Sequence, residues 1–292
     1  MAKTFQVHSL RVGELYLPHN GGIMRDPVHC WLVEDGTTRI LVDSGMPEIA
    51  EVERSLKVKG KGGGHQALRD ALAAHKLGPD DINFVLTTHL HFDHGHNLDL
   101  FPNACIVLQR DELFHAIDPV PTQRIFYRRD TLIELINRKR PTGLRLIDGD
   151  LAFMDGILLL KLPAHTPGMQ VPIVTTARGK VALVSDLGDH YRYWFPADPR
   201  ATNTPSRSLA GGFMPSPIRS GGEREFLAAM QRVVDHSDIV VPAHDFRIPK
   251  HMPEEWFSFS AVRQASIRTV PAAPDGFTIW ASISVDKFRC IT

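Results

Sequence analysis

Thr87-Thr88-His89-Leu90-His91-Phe92-Asp93-His94 places three histidines and an aspartate within six residues, in the pattern H-x-H-x-D-H. Imidazole and carboxylate donors together suit zinc, manganese or iron better than magnesium or calcium, which favour all-oxygen ligand sets. Just upstream, Ile82-Asn83-Phe84-Val85-Leu86 is a short apolar run that reads as a buried strand. The cluster therefore sits at the mouth of a strand, where a rigid scaffold can hold ligands still before an ion arrives.

One motif does not complete a metal site, and the chain supplies the same chemistry at three further strand ends. Leu162-Pro163-Ala164-His165-Thr166-Pro167-Gly168 puts His165 in a turn just past a strand. Ala182-Leu183-Val184-Ser185-Asp186 ends a strand on Asp186, and Val240-Val241-Pro242-Ala243-His244-Asp245 does so just before His244. Taken jointly these make seven candidate ligands from four strand ends, enough for two ions. Asp43 ends another apolar strand, where a carboxylate must be hydrogen-bonded or stand near a cation. Gly-x-Ser-x-Gly is absent, and no Ser or Cys nucleophile stands in a recognisable setting.

The elements that must position these residues follow from periodicity. Strands are expected at 4–12, 15–17, 28–33, 39–43, 82–86, 104–108, 145–147, 151–153, 157–162, 171–175, 180–184 and 239–241. The pair 28–33 and 39–43 flanks Glu34-Asp35-Gly36 as a hairpin. Helical spacing predicts helices over 65–77, 110–117, 122–138 and 226–234. The Gly-rich stretch 60–64 reads as a loop, and 188–221 as a long irregular segment of the kind that is usually functional. Two blocks of strands interleaved with helices give a layered α/β domain. We expect that domain to span 1–270 with a helical insertion at about 110–140, and 271–292 to be a peripheral segment.

Composition excludes several classes. Of 292 residues, 43% are hydrophobic and 23% charged, so a substantial core can form. Lys plus Arg and Asp plus Glu are 33 each, and no global field draws in nucleic acid or an anionic membrane. No run of 18 apolar residues and no signal core is present. The three cysteines, Cys30, Cys105 and Cys290, are odd in number and far apart, which fits a reducing compartment and a cytoplasmic protein.

These motifs resemble the metallo-β-lactamase superfamily, over roughly residues 28–250. Within it the chain is most similar to N-acyl homoserine lactonases, on Leu41-Val42-Asp43-Ser44-Gly45-Met46, the H-x-H-x-D-H run, Ile106-Val107-Leu108-Gln109-Arg110, Ala164-His165-Thr166-Pro167-Gly168 and His244-Asp245. The resemblance implies an αβ/βα four-layer sandwich with a metal site along one edge. By its pattern His89, His91 and His165 hold one ion, Asp93, His94 and His244 the other, and Asp186 bridges them. Asp43 would orient those ligands from behind. The implied cofactor is a pair of divalent ions, zinc first, with Mn2+, Fe2+ or Co2+ as alternatives. The implied reaction opens a lactone or related carboxylic ester through a metal-bridging hydroxide. Asp93 would then pass a proton to the departing alkoxide.

The chain departs from the lactonase pattern in three places. Gly95-His96-Asn97 is one residue shorter than the usual continuation, and Met169 replaces a histidine. Asp189 stands where those enzymes carry a carbonyl-binding tyrosine, so Tyr191 and Tyr193 become the candidates for holding the oxyanion. His96 and His190 are expected to be polar groups of the pocket. Its apolar wall would come from Phe126, Trp194, Phe195, Phe213 and Met214. Alternatives on the same metals are a glyoxalase-II-like thioesterase or a phosphodiesterase, with Arg192, Arg200, Arg207 and Arg219 meeting an anionic substrate. An iron-dependent oxygen-handling relative and a non-catalytic binding relative are further alternatives. The expected partner is a small ester or lactone, with neither nucleic acid nor membrane, and a second copy could complete a homodimer.

Overall fold

Residues 3–248, apart from 20, 140–142 and 197–212, are described by a computed structural model. Among these residues twelve strands form two sheets. The first holds β1 (Gln6–His19), β2 (Gly22–Glu34), β3 (Arg39–Val42), β4 (Lys59–Gly62), β5 (Phe84–Leu86), β6 (Cys105–Gln109) and β7 (Leu144–Ile147), in the order β4-β1-β2-β3-β5-β6-β7. The second holds β8 (Leu151–Met154), β9 (Ile157–Lys161), β10 (Gln170–Thr176), β11 (Gly179–Ser185) and β12 (Ile239–Pro242), in the order β12-β11-β10-β9-β8.

The layers follow from the twofold alternation of strand side chains. Trp31, Val33, Ile40, Val42, Leu86 and Val107 face one core, which they share with Leu159, Val171 and Leu183 of the second sheet. Their neighbours Leu32, Leu41, Val85, Ile106 and Leu108 face the opposite way into another core. That second core is closed by α1 (Ile49–Leu56), α2 (Gly64–Ala73), α3 (Arg110–Ile117) and α4 (Arg129–Asn137), through Val52, Leu68, Leu72, Leu113, Ala116 and Leu135. A short helix, α5 (Tyr191–Trp194), and the long α6 (Glu223–His236) pack on the second sheet, the latter through Phe226, Met230 and Val233. The result is helix, sheet, sheet, helix, the layered α/β domain that the strand order predicts and the four-layer sandwich that the resemblance implies.

Direction matters for the site. Strands β3, β5, β6 and β7 run parallel, and so do β11 and β12. Their carboxyl ends open on one edge, the usual place for a site in such sheets. Asp43 follows β3, the H-x-H-x-D-H run follows β5, Asp186 follows β11 and His244 follows β12.

Four expectations about elements change. The stretch 60–64 is not all loop, because Lys59–Gly62 pairs with β1 as an edge strand. A side chain at Gly60 would lie 2.2 Å from the Glu14 carbonyl, so the glycine serves a close strand approach and leaves no alternation to read. The helix over 65–77 ends at Ala73, and Lys76 turns left-handed. The helix over 122–138 divides into a 3-10 turn, Arg124–Phe126, and α4. Tyr127 between them is extended and bridges to His91, so its backbone serves the metal motif. Finally, α1 is a helix that periodicity does not predict, because its apolar stripe, Ile49, Val52 and Leu56, is only three residues long and buries Val52 alone in full. The segment 271–292 and the boundary at 270 lie outside the described residues. No helix among the described residues is long and apolar enough to cross a membrane.

Candidate metal centre

The loop leaving β5 is tied down at each step. The Asp43 N–H donates to the Leu86 carbonyl (3.1 Å) and the Ser44 N–H to the His94 carbonyl (2.6 Å). The N–H groups of His94 and Gly95 both return to the His91 carbonyl at 3.0 Å, a tight turn that brings His89, His91 and His94 together. The rings of His91 and His94 lie 4.6 and 4.2 Å from that of His89. The remaining groups arrive from the second sheet, His165 from the β9–β10 turn, Asp186 from the end of β11 and His244 from the end of β12.

Two clusters result, each with donor atoms within 4.8 Å of one another: His89, His91, His165 and Asp186, and beside it Asp93, His94 and His244. The two oxygens of Asp186 divide between them. Oδ2 lies 3.3 Å from His165 Nε2 and 3.9 Å from His89 Nε2. Oδ1 lies 3.1 Å from His94 Nε2 and 3.2 Å from His244 Nε2. Asp93 stands on the second side, its Oδ2 at 3.7 Å from His244 Nε2 and 3.9 Å from His94 Nε2.

Whether these residues suit a cation is decided by how their nitrogens face. A carbonyl or carboxylate oxygen only accepts, so it fixes the proton on the ring nitrogen bonded to it. His165 Nδ1 donates to the Ile218 carbonyl (2.9 Å), His244 Nδ1 to the Pro27 carbonyl (2.8 Å) and His94 Nδ1 to Asp43 Oδ2 (2.9 Å). Each thereby turns Nε2 to the centre. There His165 Nε2 comes 3.0 Å from His91 Nδ1, and His94 Nε2 comes 3.2 Å from His244 Nε2. His89 Nε2 and Asp186 Oδ1 are buried without a hydrogen-bond partner. Convergent imidazole nitrogens around an unsatisfied carboxylate are costly to bury unless a cation lies between them. The donor set therefore fits a metal ion.

The charges agree with this reading. Burial and the neighbouring imidazoles hold His89 and His91 well below the usual histidine range. For His94 burial is the largest single influence and acts downward, but Asp186, Asp93 and Asp43 together carry it well above that range. His244 is raised to about 10; burial opposes this, and Asp26, Asp186 and Asp93 outweigh it. Asp186 falls well below an ordinary carboxyl although burial pushes it upward, because His94, His244 and His165 surround it.

The other expected residues fall in several places. Phe126 is half-buried with its ring 5.0 Å from that of His91. Tyr191 is buried in the core between the layers, with Arg247 over its ring and its backbone N–H donating to Asp245 Oδ2 (3.0 Å). Tyr193 accepts a hydrogen bond from Arg192 at its hydroxyl (3.1 Å), and its ring stands 6.3 Å from His190. His190 in turn lies 3.4 Å from Asp26, whose other oxygen is 3.7 Å from His244. Trp194 and Phe195 are buried in the same core as Tyr191, and Phe213 and Met214 pack against it. His96 comes near Glu51 and Asp130, but Arg128 pairs with both of those carboxylates. Arg200 and Arg207 lie outside the described residues.

Sequence reasoning missed Asp26 and Glu112. Asp26 precedes a proline near a turn, and Glu112 sits in the first turn of a helix, where an acid ordinarily complements the dipole. A solitary acid in either place carries no spacing signal, and only the fold brings it to the site.

Comparison with known proteins agrees with this geometry. The model of the metallo-beta-lactamase superfamily matches residues 23–244. The N-acyl homoserine lactonase AiiA of Bacillus thuringiensis subsp. kurstaki is 31% identical over 175 residues, 57% of this chain and 66% of that protein. The lactonase AttM of Agrobacterium fabrum is 26% identical over 125 residues, 39% of this chain and 44% of that one. The chain thus spans just under two thirds of the length of AiiA. Among solved structures, a quorum-quenching N-acyl homoserine lactone hydrolase superposes with TM-score 0.63 at 24% identity, covering 88% of this chain and all of that one. The hydrolase AbOPH does so with TM-score 0.60 at 16% identity, covering 86% and 90%. These two likenesses concern the fold.

Proposed function

The chain belongs to the metallo-β-lactamase superfamily, and on that footing we propose that it is a metal-dependent hydrolase that opens a lactone or cleaves a related carboxylic ester. His89, His91 and His165 would hold one divalent ion, Asp93, His94 and His244 a second, and Asp186 both. The observation that carries this reading is the division of the Asp186 oxygens between the two histidine groups. The lactonase relatives, 31% and 26% identical, support the choice of a lactone. When bound, two such ions, zinc first and Mn2+, Fe2+ or Co2+ as alternatives, supply a water ionised near neutral pH and polarise the ester carbonyl.

The protein's own groups do the rest. Asp93, half-buried at the rim of the second group, would pass a proton to the departing alkoxide, a role that its nearness to His94 and His244 supports. Tyr193 is the better candidate of the two tyrosines for orienting the carbonyl, since it stands beside the His190–Asp26 group next to His244. Tyr191 faces Asp245 and Arg247 instead. Phe126, with the exposed Ile125 and Val120 nearby in sequence, offers an apolar surface for the acyl part. The three cysteines, odd in number and far apart in the sequence, suit a reducing, cytoplasmic setting.

Metal-loaded protein assayed against acyl homoserine lactones, thioesters and phosphodiesters tests the reading. We expect lactone turnover to lead, and Asp93→Asn to lower it by at least a hundredfold, the scale of general acid catalysis. Leading phosphodiester or thioester turnover, or full activity in Asp93→Asn, would overturn it.

A further inference from the structure

Among the described residues, Glu112 is a fully buried carboxylate that the proposed reaction does not use. It lies in the first turn of α3 with no Lys or Arg partner among its contacts, and its acceptors meet three donors from three segments. Oε1 accepts from the Leu90 N–H (2.9 Å) and the Tyr127 hydroxyl (3.1 Å), and Oε2 accepts from the Thr166 hydroxyl (2.5 Å). Leu90 separates His89 from His91. Thr166 adjoins His165. Tyr127 bridges to His91 through its backbone, with its ring 4.9 Å from that imidazole. One side chain therefore grips the loop carrying His89 and His91, from the first sheet, and the turn carrying His165, from the second.

The backbone is fitted to the same purpose. Gly168 ends the His165 turn directly against α3, and a Cβ there would lie 2.0 Å from the Glu112 nitrogen. Gln123 reinforces the contact, donating to the His165 carbonyl at 2.8 Å while His115 holds its other end at 2.9 Å. A buried carboxylate without a cation is a poor device for stability alone. What it achieves is alignment across the two sheets. Asp43 holds the other end of the motif, bonding Thr88 and His94, but none of its hydrogen bonds reaches the His165 turn.

We infer that Glu112 is a positioning residue for the first metal group, setting His89 and His91 against His165, and that α3 is thereby part of the metal site's frame. This rests on the reading that His89, His91 and His165 hold an ion. The test measures ion affinity rather than turnover, by competing Co2+ or Zn2+ against a chromogenic chelator. Two backgrounds separate the groups: His244→Ala leaves the first group, and His165→Ala leaves the second.

In His244→Ala, we expect Glu112→Ala to weaken the remaining ion by ten- to a hundredfold, the usual effect of losing an outer hydrogen-bond partner. Glu112→Gln, which keeps the acceptor for Leu90 and Tyr127, should fall between. In His165→Ala neither substitution should change affinity by more than about twofold, well below that outer-partner range. Leu113→Ala, a core truncation on the same helix, should lower thermal stability and leave both affinities in place. If Glu112→Ala does not fold, Glu112→Gln carries the same comparison. Unchanged affinity in the His244→Ala background, or equal losses in both, would overturn this inference while the metal reading stands. No ion bound by the unsubstituted protein would overturn both.

Discussion

Asp43→Asn is the substitution whose consequences can be followed furthest through the site. Asp43 is fully buried at a left-handed backbone position (φ 62°), which Asn tolerates as well as Asp, so the change keeps shape and backbone and removes the charge. Its carboxylate accepts from the Thr88 N–H (2.7 Å), the Thr88 hydroxyl (2.9 Å) and His94 Nδ1 (2.9 Å). Because the Thr88 hydroxyl spends its proton on Asp43, it is free to accept from His89 Nδ1 at 3.1 Å. One carboxylate thus keeps Nε2 of both His94 and His89 turned to the centre. An Asn amide in the same place puts a donor against Thr88 and His94. The hydroxyl then turns its proton to Ser185 Oγ (2.9 Å) or to His89 Nδ1, and in the second arrangement the proton of that ring moves to Nε2, where an ion would bind. Losing such an outer partner costs ten- to a hundredfold in metal affinity, about 1.4–2.7 kcal/mol for each ion. We expect chelator competition to show both ions weakened on this scale. Long-range 15N–1H spectra of the metal-free protein should show the His89 proton moved from Nδ1 to Nε2 in the second arrangement and kept on Nδ1 in the first. Two ions bound at unchanged affinity, with His89 still carrying its proton on Nδ1, would refute the reasoning.

Further predictions concern stability. His29 is buried, donates to the Ala243 carbonyl (2.8 Å) and is lowered by burial to about 4 from 6.5. A depressed histidine keeps its contribution above the unfolded value and loses it as pH falls. The protein should therefore shed roughly 3 kcal/mol between pH 6.5 and 4, about 1.36 kcal/mol per pH unit, and His29→Gln should flatten that limb in urea unfolding. Gly168→Ala, whose new methyl meets Glu112 backbone at 2.0 Å, should cost about 1–3 kcal/mol through overpacking, read as a lower Tm, and should weaken one ion more than the other. Asp245 is held below the ordinary carboxyl range. Burial, its largest influence, opposes this, and the Arg247 guanidinium and the N–H groups of Arg247 and Tyr191 outweigh it. That contribution is present above pH 3.8 and disappears as pH falls through the lower folded value, so the Tm deficit of Asp245→Asn should be large at pH 7 and shrink below pH 4.

Much of this arrangement can be read from the chain before it folds. Strands of the two sheets alternate or run continuously apolar, and each of the seven converging side chains stands at or just past a strand end, where type and position together carry the signal. What escapes are features whose cause lies in another segment. Gly60 and Gly62 form a strand because they let β4 approach β1, yet a glycine run has no faces to compare. The helical pattern over 122–138 breaks at Tyr127 because that backbone pairs with His91, a contact 36 residues back along the chain. Helix α1 is eight residues long and buries only Val52 in full, too short a pattern to separate from a loop. Glu112 resembles any acid at a helix start until the donors of Leu90, Tyr127 and Thr166 are seen to converge on it.

The central claim is that Asp186 stands between two ions. Anomalous diffraction at the zinc edge, from crystals of the zinc-loaded protein, addresses it most directly. The account predicts two peaks about 3.5–4 Å apart, the separation usual in two-metal sites, one beside His89, His91 and His165 and the other beside Asp93, His94 and His244, with the Asp186 carboxylate touching both. A single peak, or peaks lying away from Asp186, would contradict it.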